Sequence, residues 1–442
     1  MKIPSKFAER TKDLLGDEYL SLVEALDSVS PVSVRINNKL SNYCPSQKRV
    51  PWCSSGFYLS ERPLFTADPL FHAGVYYVQE ASSMFLEQIV RQYLSDAQTV
   101  LDLCAAPGGK TTLLSQLLPE NSLLVSNEII RSRAMILAEN VIKWGNPNVI
   151  VTNESPAAFN KLSGLFDAIV VDAPCSGEGM FRKDPGSIDE WSEQNVRQCS
   201  IRQKNILEDV WDSLRPEGIL VYSTCTYNRE ENEENIKWAI EYLGAELLRP
   251  EVSDFDGIVQ SDFGLRFYPH KIQGEGFFLS VLRKNEGNVP MVRMKEDKKG
   301  PKSIQSNIYN DKLLYPETYE IIEKNQQLIA FSKQHFIKSM YIAKELNCLV
   351  NGVVLFDIKG KDIVPHPQFA LSKIINPAAF NKVDVDLTTA ISFLRKENIF
   401  LPDAPKGYLL ITYQHQTLGW VKNLGNRCNN LYPQHWRIRM HL

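Results

Sequence analysis

The sequence predicts an α/β protein: a doubly wound parallel sheet with a small N-terminal α/β module before it and an α+β region after it. Three observations predict this. Between about residues 67 and 285, short apolar runs alternate with amphipathic helical stretches, the pattern of a parallel sheet with crossover helices. Upstream of 67 the pattern is mixed, and downstream of a polar, Lys-rich stretch it becomes strand-like runs separated by Gly and Pro. The chain has 442 residues, enough for two or three domains.

In order, residues 1–66 begin with Phe7, Leu14, Leu15, Leu22, Val23 and Leu26 near helical spacing, followed by the alternating run Val32 to Ile36. The runs TVLDLCA, SLLVSNE, NVIVTN, FDAIVVDAP and GILVYSTCT then read as buried strands. Before the last of them Leu207, Val210, Trp211 and Leu214 share a helical face, which Pro216 and Gly218 end. Residues 286–308, with KEDKKGPKS, read as a basic linker. Beyond it lie a helix-containing stretch from Leu313 to Leu346 and the strand-like runs CLVNGVVLFDI, GYLLITY and LGWVK, expected as a separate α+β region.

Composition narrows the function. Hydrophobic residues at 43% and charged residues at 23% are those of a folded soluble chain rather than a disordered one. No run approaches the ~20 apolar residues of a membrane helix, and the opening MKIPSKFAERTKDLL lacks a long apolar stretch, so a cytoplasmic location without membrane contact is expected. Eight cysteines with no CxxC pair give neither a disulfide framework nor a zinc site, and no metal is expected. A net charge of −3 means that any nucleic-acid surface must be a local patch.

In a doubly wound sheet, ligands bind beyond the carboxyl ends of the strands. The first strand ends in Asp102-Leu-Cys-Ala-Ala-Pro-Gly-Gly-Lys-Thr111, where Gly108 and Gly109 let the backbone approach a ligand at a helix N-terminus. A phosphate loop would need a glycine where Cys104 stands, and no GxGxxG is present. What survives is a Gly-Gly turn with an acidic residue, Glu128, at the end of the next strand, where a carboxylate can accept both hydroxyls of a ribose. S-adenosylmethionine fits such a site.

Asp172, Pro174 and Cys175 follow one strand directly, and Cys225 ends another. A strand-end cysteine is by default a small core residue; two at one sheet edge point to chemistry. Ser176, Gly177 and Gly179 leave the first loop little bulk, as an approaching planar substrate requires. Carbon 5 of cytosine is too weak a nucleophile to take a methyl group unaided, and a thiolate added at carbon 6 makes it enamine-like. A second thiol can assist release, and an acid near N3 or the exocyclic amine, a place open to Asp172, stabilises the adduct.

At DLCAAPGGKT, DAPCSGEG and STCT, in that order, the chain resembles the Sun-type family of RNA 5-methylcytosine methyltransferases, and more closely its bacterial RsmF-type 16S ribosomal RNA branch. VPWCSSGFYL and YYVQEASSM are similar as well. The resemblance implies a Rossmann-like methyltransferase domain at 67–285, an RNA-binding-type module before it, an RsmF-type domain at 309–380 and a PUA-like RNA-binding domain at 381–442. It implies that Cys104, Ala105, Ala106, Pro107, Gly108, Gly109 and Lys110 line the methyl-donor site, that Glu128 holds the ribose and that Asp172 stands between donor and base. Cys225 is then the nucleophile and Cys175 the residue that helps release product. Where relatives carry an adenine-contacting Asp, this chain has Ser155, with Asn153 and Glu154 beside it.

The implied partner is RNA, 16S rRNA or the small ribosomal subunit, met by a monomer that takes its cytosine unstacked. Arg131, Arg133, Arg182 and Lys183 are candidate phosphate contacts, and Arg427, Arg437 and Arg439 with Tyr432 and Trp436 form a candidate phosphate-and-stacking surface. The same chemistry on tRNA, methylation of DNA cytosine or of an amine, and a non-catalytic RNA-binding assembly factor are the alternatives. DAPC in place of an Asn/Asp-Pro-Pro-aromatic loop weighs against the amine, and the two cysteines weigh against the assembly factor.

Overall fold

The computed structural model describes residues 3–37, 48–285, 304 and 307–440, so most of the expected linker lies outside the described residues. The chain opens with helices Ser5–Leu15 and Tyr19–Leu26. Their apolar face, Phe7, Leu22 and Leu26, is buried against Phe181, Trp191, Tyr227 and Tyr268 of the central domain. Strands β1 (Val32–Ile36), β2 (Gly56–Leu59) and β3 (Tyr76–Val78) follow as an antiparallel sheet in the order β2-β1-β3. The module therefore runs past the expected boundary at 66, because β1 has its second hydrogen-bonding edge satisfied by β3.

The central sheet holds the five predicted strands: β4 (Thr99–Asp102), β5 (Leu123–Asn127), β6 (Val149–Thr152), β7 (Phe166–Asp172) and β8 (Leu214–Thr224). They are parallel neighbours in the order β8-β7-β4-β5-β6. Successive residues face opposite sides: Val100, Leu124 and Val170 join one core, Leu101, Val125 and Ile169 the other. Burial on both faces is why these strands read as continuous apolar runs rather than as alternation. The helical row before β8 is one position shorter than predicted. The helix Glu193–Trp211 ends first, and Leu214 opens β8 opposite Phe166.

Strands β9 (Ala245–Leu248), β10 (Val259–Gln260), β11 (Leu265–Phe267) and β12 (Phe277–Lys284) complete this side, with β12 antiparallel to β8. Chain order reverses between β4 and β7, so a crevice forms at their carboxyl ends. Asp102 and Asp172 stand there, with Cys225 one residue beyond β8.

The C-terminal part is not separate from this sheet, contrary to expectation. Strands β13 (Tyr319–Lys324) and β14 (Gln327–Ser332) form a hairpin, followed by the helix Phe336–Glu345. Strand β15 (Cys348–Val350) then pairs antiparallel with β6 and extends the central sheet. Strands β16 (Val353–Lys359) and β17 (Asp362–Pro365) return to the hairpin in the order β13-β14-β16-β17. A last sheet, β18 (Lys382–Asp384), β19 (Gly407–Tyr413), β20 (Gln416–Asn423) and β21 (Cys428–Asn430), is strung in chain order.

This last unit packs back on the first. Val34, Ile36, Phe57, Leu70 and Tyr76 share one core with Phe393, Leu394, Leu409, Val421, Tyr432 and Trp436. Tyr432 at 1% and Trp436 at 7% exposure are interior residues, which corrects their expected role in base stacking. Arg427, Arg437 and Arg439 are exposed. No helix among the described residues is long and apolar enough to cross a membrane.

Candidate active site

The donor loop is fixed by the strands on either side. Beyond β4, the Leu103 N–H donates to Val170 of β7 at 2.9 Å, and the Ala105 N–H to Asn127 of β5 at 2.8 Å. The Ala106–Pro107 peptide is cis. Arg133 donates to the Ala106 carbonyl at 2.9 Å and Asn140 to that of Pro107 at 2.8 Å. Gly108 then turns at φ +117°, a conformation that a side chain disfavours, and the helix Gly109–Leu117 begins. Cys104, Ala105, Ala106, Pro107, Gly108, Gly109 and Lys110 thus form one ledge above β4.

The ledge is tied to the N-terminal module by a residue that sequence reasoning missed. Arg35, fully buried on β1, donates to Gln79, Gln116, the Gly109 carbonyl and the Thr112 hydroxyl, with its guanidinium 4.6 Å from the Trp144 ring centroid. Burial with only neutral acceptors pulls the guanidinium down to about 10.

Asp102, quoted but not assigned from the sequence, is the second omission. It is 0% exposed; Oδ2 accepts from the Thr111 hydroxyl at 2.7 Å, and Oδ1 has no partner among the described residues. Burial pushes its carboxyl up to about 7, against the lowering effects of Thr111 and Lys110. Its place at the carboxyl end of a buried strand was the available signal.

Glu128 sits beyond β5 with 3% exposure. One oxygen accepts from the Ile130 N–H at 2.9 Å, and the other faces Arg133 at 3.3 Å. Ile130 is the N-cap residue of the next helix, Arg131–Trp144. Asp102, Asp172 and Glu128 together, with burial as the larger cause, raise the Cys104 thiol, so Cys104 stays protonated. An unpaired buried carboxyl oxygen in a pocket of three acids suits a donor bearing sulfonium and ammonium charges. The residues present fit S-adenosylmethionine.

Of the candidates for the adenine end, Asn153 and Glu154 are each partly engaged. The Asn153 amide donates to the Glu128 and Ile129 carbonyls, and Glu154 accepts from the Asn347 N–H at 2.9 Å. Ser155 is exposed at the head of the 3-10 turn Pro156–Leu162.

The cysteines meet. Cys175 and Cys225 sulfurs lie 3.1 Å apart, although 50 residues separate them in the chain. The hydrogen bond to Cys225, followed by burial, holds the Cys175 thiol well above its ordinary value. Beside them Asp172 accepts from Lys110 at 2.7 Å and from the Ser223 hydroxyl at 2.8 Å. Burial alone would lower Lys110, but Asp172, with Asp102 and Cys225, outweighs it and keeps the ammonium charged. Gly179, after Cys175, has a packing cause of its own. A Cβ on Gly179 would stand 2.5 Å from the Gly276 carbonyl and 2.9 Å from that of Cys225, so the glycine permits two loops to cross.

Of the expected phosphate contacts, Arg131 and Lys183 are exposed, while Arg133 is engaged with Glu128 and Ala106. Arg182 is not at the surface: its side chain is 5% exposed and paired with Glu275 at 3.0 Å, with further bonds to Ala25 and Gly274. That removes it from the candidate phosphate contacts.

Residues 92–283 match the family 16S rRNA methyltransferase RsmB/F, residues 3–81 the N-terminal domain of 16S rRNA methyltransferase RsmF, and residues 380–438 the methyltransferase RsmF PUA domain. Ribosomal RNA small subunit methyltransferase F of Cronobacter sakazakii is 32% identical over 420 residues, covering 87% of this chain and 83% of that protein. Its namesake in Escherichia fergusonii is 31% identical, covering 87% and 84%. Among solved structures, a methyltransferase homolog protein from Pyrococcus horikoshii superposes with a TM-score of 0.55 at 31% identity, over 64% of this chain and 95% of that one. The chain belongs to the RsmF family of S-adenosylmethionine-dependent 16S rRNA methyltransferases.

Proposed function

We propose that this protein methylates carbon 5 of a cytosine in 16S rRNA through a covalent adduct between Cys225 and carbon 6 of the base. The observation that carries this reading is the pair of thiols 3.1 Å apart beside the Lys110–Asp172 ion pair. The hydrogen bond to Cys225, with burial, keeps the proton on Cys175 and makes it the donor of the pair, which leaves Cys225 as the nucleophile. Asp172, oriented by Lys110 and Ser223, accepts from the exocyclic amine of the base. The Lys110 charge stabilises the electron density that enters the ring as sulfur adds.

S-adenosylmethionine, when bound on the ledge from Cys104 to Lys110 with its ribose at Glu128 and its adenine toward Ser155, supplies the methyl group. Carbon 5, made nucleophilic by the adduct, takes it. Cys175 then gives its proton to the departing Cys225 sulfur, and the proton lost from carbon 5 replaces it on Cys175. Cys225 releases its own proton to solvent before the attack, so one proton leaves per turnover and both thiols are restored.

The test is incubation with small-subunit RNA and methyl-labelled donor, followed by nucleoside mass spectrometry. Label is expected in 5-methylcytosine, and label in any other nucleoside refutes the reading. Cys225→Ala should abolish transfer, and Cys175→Ala should trap a protein–RNA adduct that survives denaturing electrophoresis. A parallel reaction on tRNA decides the choice of RNA.

A further inference from the structure

Two buried carboxylates, each standing on the loop of one cysteine, grip the loop of the other. Glu178, beyond Cys175, is 2% exposed. Its Oε2 accepts from the Thr226 hydroxyl at 2.6 Å and from the Tyr227 and Asn228 N–H groups at 2.8 and 2.9 Å; its Oε1 accepts from the Trp191 indole at 3.0 Å. Those bonds immobilise the backbone that leaves Cys225. Glu231, beyond Cys225, is 0% exposed. Its Oε2 accepts from the Ser176 N–H at 3.0 Å and the Gln203 amide at 2.8 Å, and its Oε1 from the Asn228 amide at 2.8 Å. The same Gln203 amide donates to the Pro174 carbonyl at 3.0 Å, so Cys175 is held from both sides.

We propose that Glu178 and Glu231 are positioning residues with separate duties: Glu178 sets Cys225 for attack on the base, and Glu231, through Ser176 and Gln203, sets Cys175 for release. Every partner of both carboxylates is a donor. A glutamine in either place therefore turns its NH2 toward an N–H or O–H and loosens one loop while keeping the volume. Misplacement of a reacting group by about 1 Å costs on the order of a hundredfold in rate. The inference rests on the roles given above to the two cysteines.

Glu178→Gln and Glu231→Gln are compared with the wild type and with the two cysteine variants for turnover, adduct level, cofactor affinity and melting temperature. Glu231→Gln should lose about a hundredfold in turnover and accumulate adduct, as Cys175→Ala does. Glu178→Gln should lose a similar factor with less adduct than the wild type. Gln203→Met and Thr226→Val, which keep both carboxylates, should shift adduct in the same two opposite directions and serve if a glutamine variant fails to fold. Equal adduct levels in the paired variants, or unchanged turnover, overturn the proposal. A Cys175→Ala enzyme without adduct overturns the cysteine roles themselves, a different result from normal cysteine controls with unresponsive glutamines.

Discussion

Asp102→Asn should make the free protein more stable and the enzyme worse, and the size of the first effect follows from its burial. The carboxyl stands at about 7 in the fold against 3.8 in an open chain. Between these values the unfolded chain has lost the proton that folded Asp102 keeps. Stability therefore falls as pH rises through this window and is level above it. At about 1.4 kcal/mol per pH unit the whole window amounts to about 4 kcal/mol, of which about 3 kcal/mol falls between pH 5 and pH 8. Asparagine has no proton to lose, and its amide oxygen can still accept from Thr111.

Denaturant unfolding of both proteins at pH 5 and pH 8, without cofactor, measures this. The stability gap in favour of the variant should widen by about 3 kcal/mol at the higher pH. A cation beside the free oxygen favours the ionised form, so cofactor affinity of the wild type should rise with pH up to about 7, with proton release seen as a buffer-dependent binding enthalpy. The variant should bind weakly and without that dependence. A gap of constant size from pH 5 to pH 8 would refute the argument that burial holds the proton on Asp102.

Three further outcomes are expected. Gly108→Ala forces a side chain into φ +117° with its Cβ 3.3 Å from Leu137; it should weaken cofactor binding and cost about 1–3 kcal/mol in denaturant unfolding. Arg35→Met leaves the Gln79, Gln116, Gly109 and Thr112 acceptors without their donor; calorimetry should show cofactor affinity lower by about tenfold, or about 1.4 kcal/mol. Trp436→Ala should cost about 3–5 kcal/mol of stability as a core deletion, whereas Arg437→Ala should leave melting unchanged and reduce the salt dependence of RNA binding.

The strands that carry the site were legible because burial on both faces writes them as apolar runs, and the residues just past their ends could then be named. Cys175, Cys225, Asp172 and Lys110 stand at neighbouring strand ends, the two sulfurs in contact and the acid paired with the lysine. What stayed illegible depends on distant chain. Trp436 and Tyr432 look like surface aromatics among arginines until the N-terminal sheet covers them. Arg182 reads as a free cation because its partner, Glu275, lies 93 residues away. The run CLVNGVVLFDI reads as strand, but not as two: β15 pairs with β6 in the central sheet and β16 with β14 in another, a division that only the pairing reveals. Glu178 and Glu231 drew no assignment from the sequence: three of their seven donors are backbone N–H groups, which no side-chain pattern displays, and Ser176 and Thr226 lie 55 and 48 residues from the carboxylates they meet.

The core shared by the first and last sheets has a consequence for the order of events during synthesis. Phe57, Leu70 and Tyr76 leave the ribosome early, but the Phe393 to Trp436 segment that covers them comes last. At translation rates of about 5–20 residues per second, that delay is roughly 20–70 s. For that interval the nascent chain carries an uncovered apolar surface on its N-terminal sheet, which makes it a client for chaperones until the Phe393 to Trp436 segment covers it.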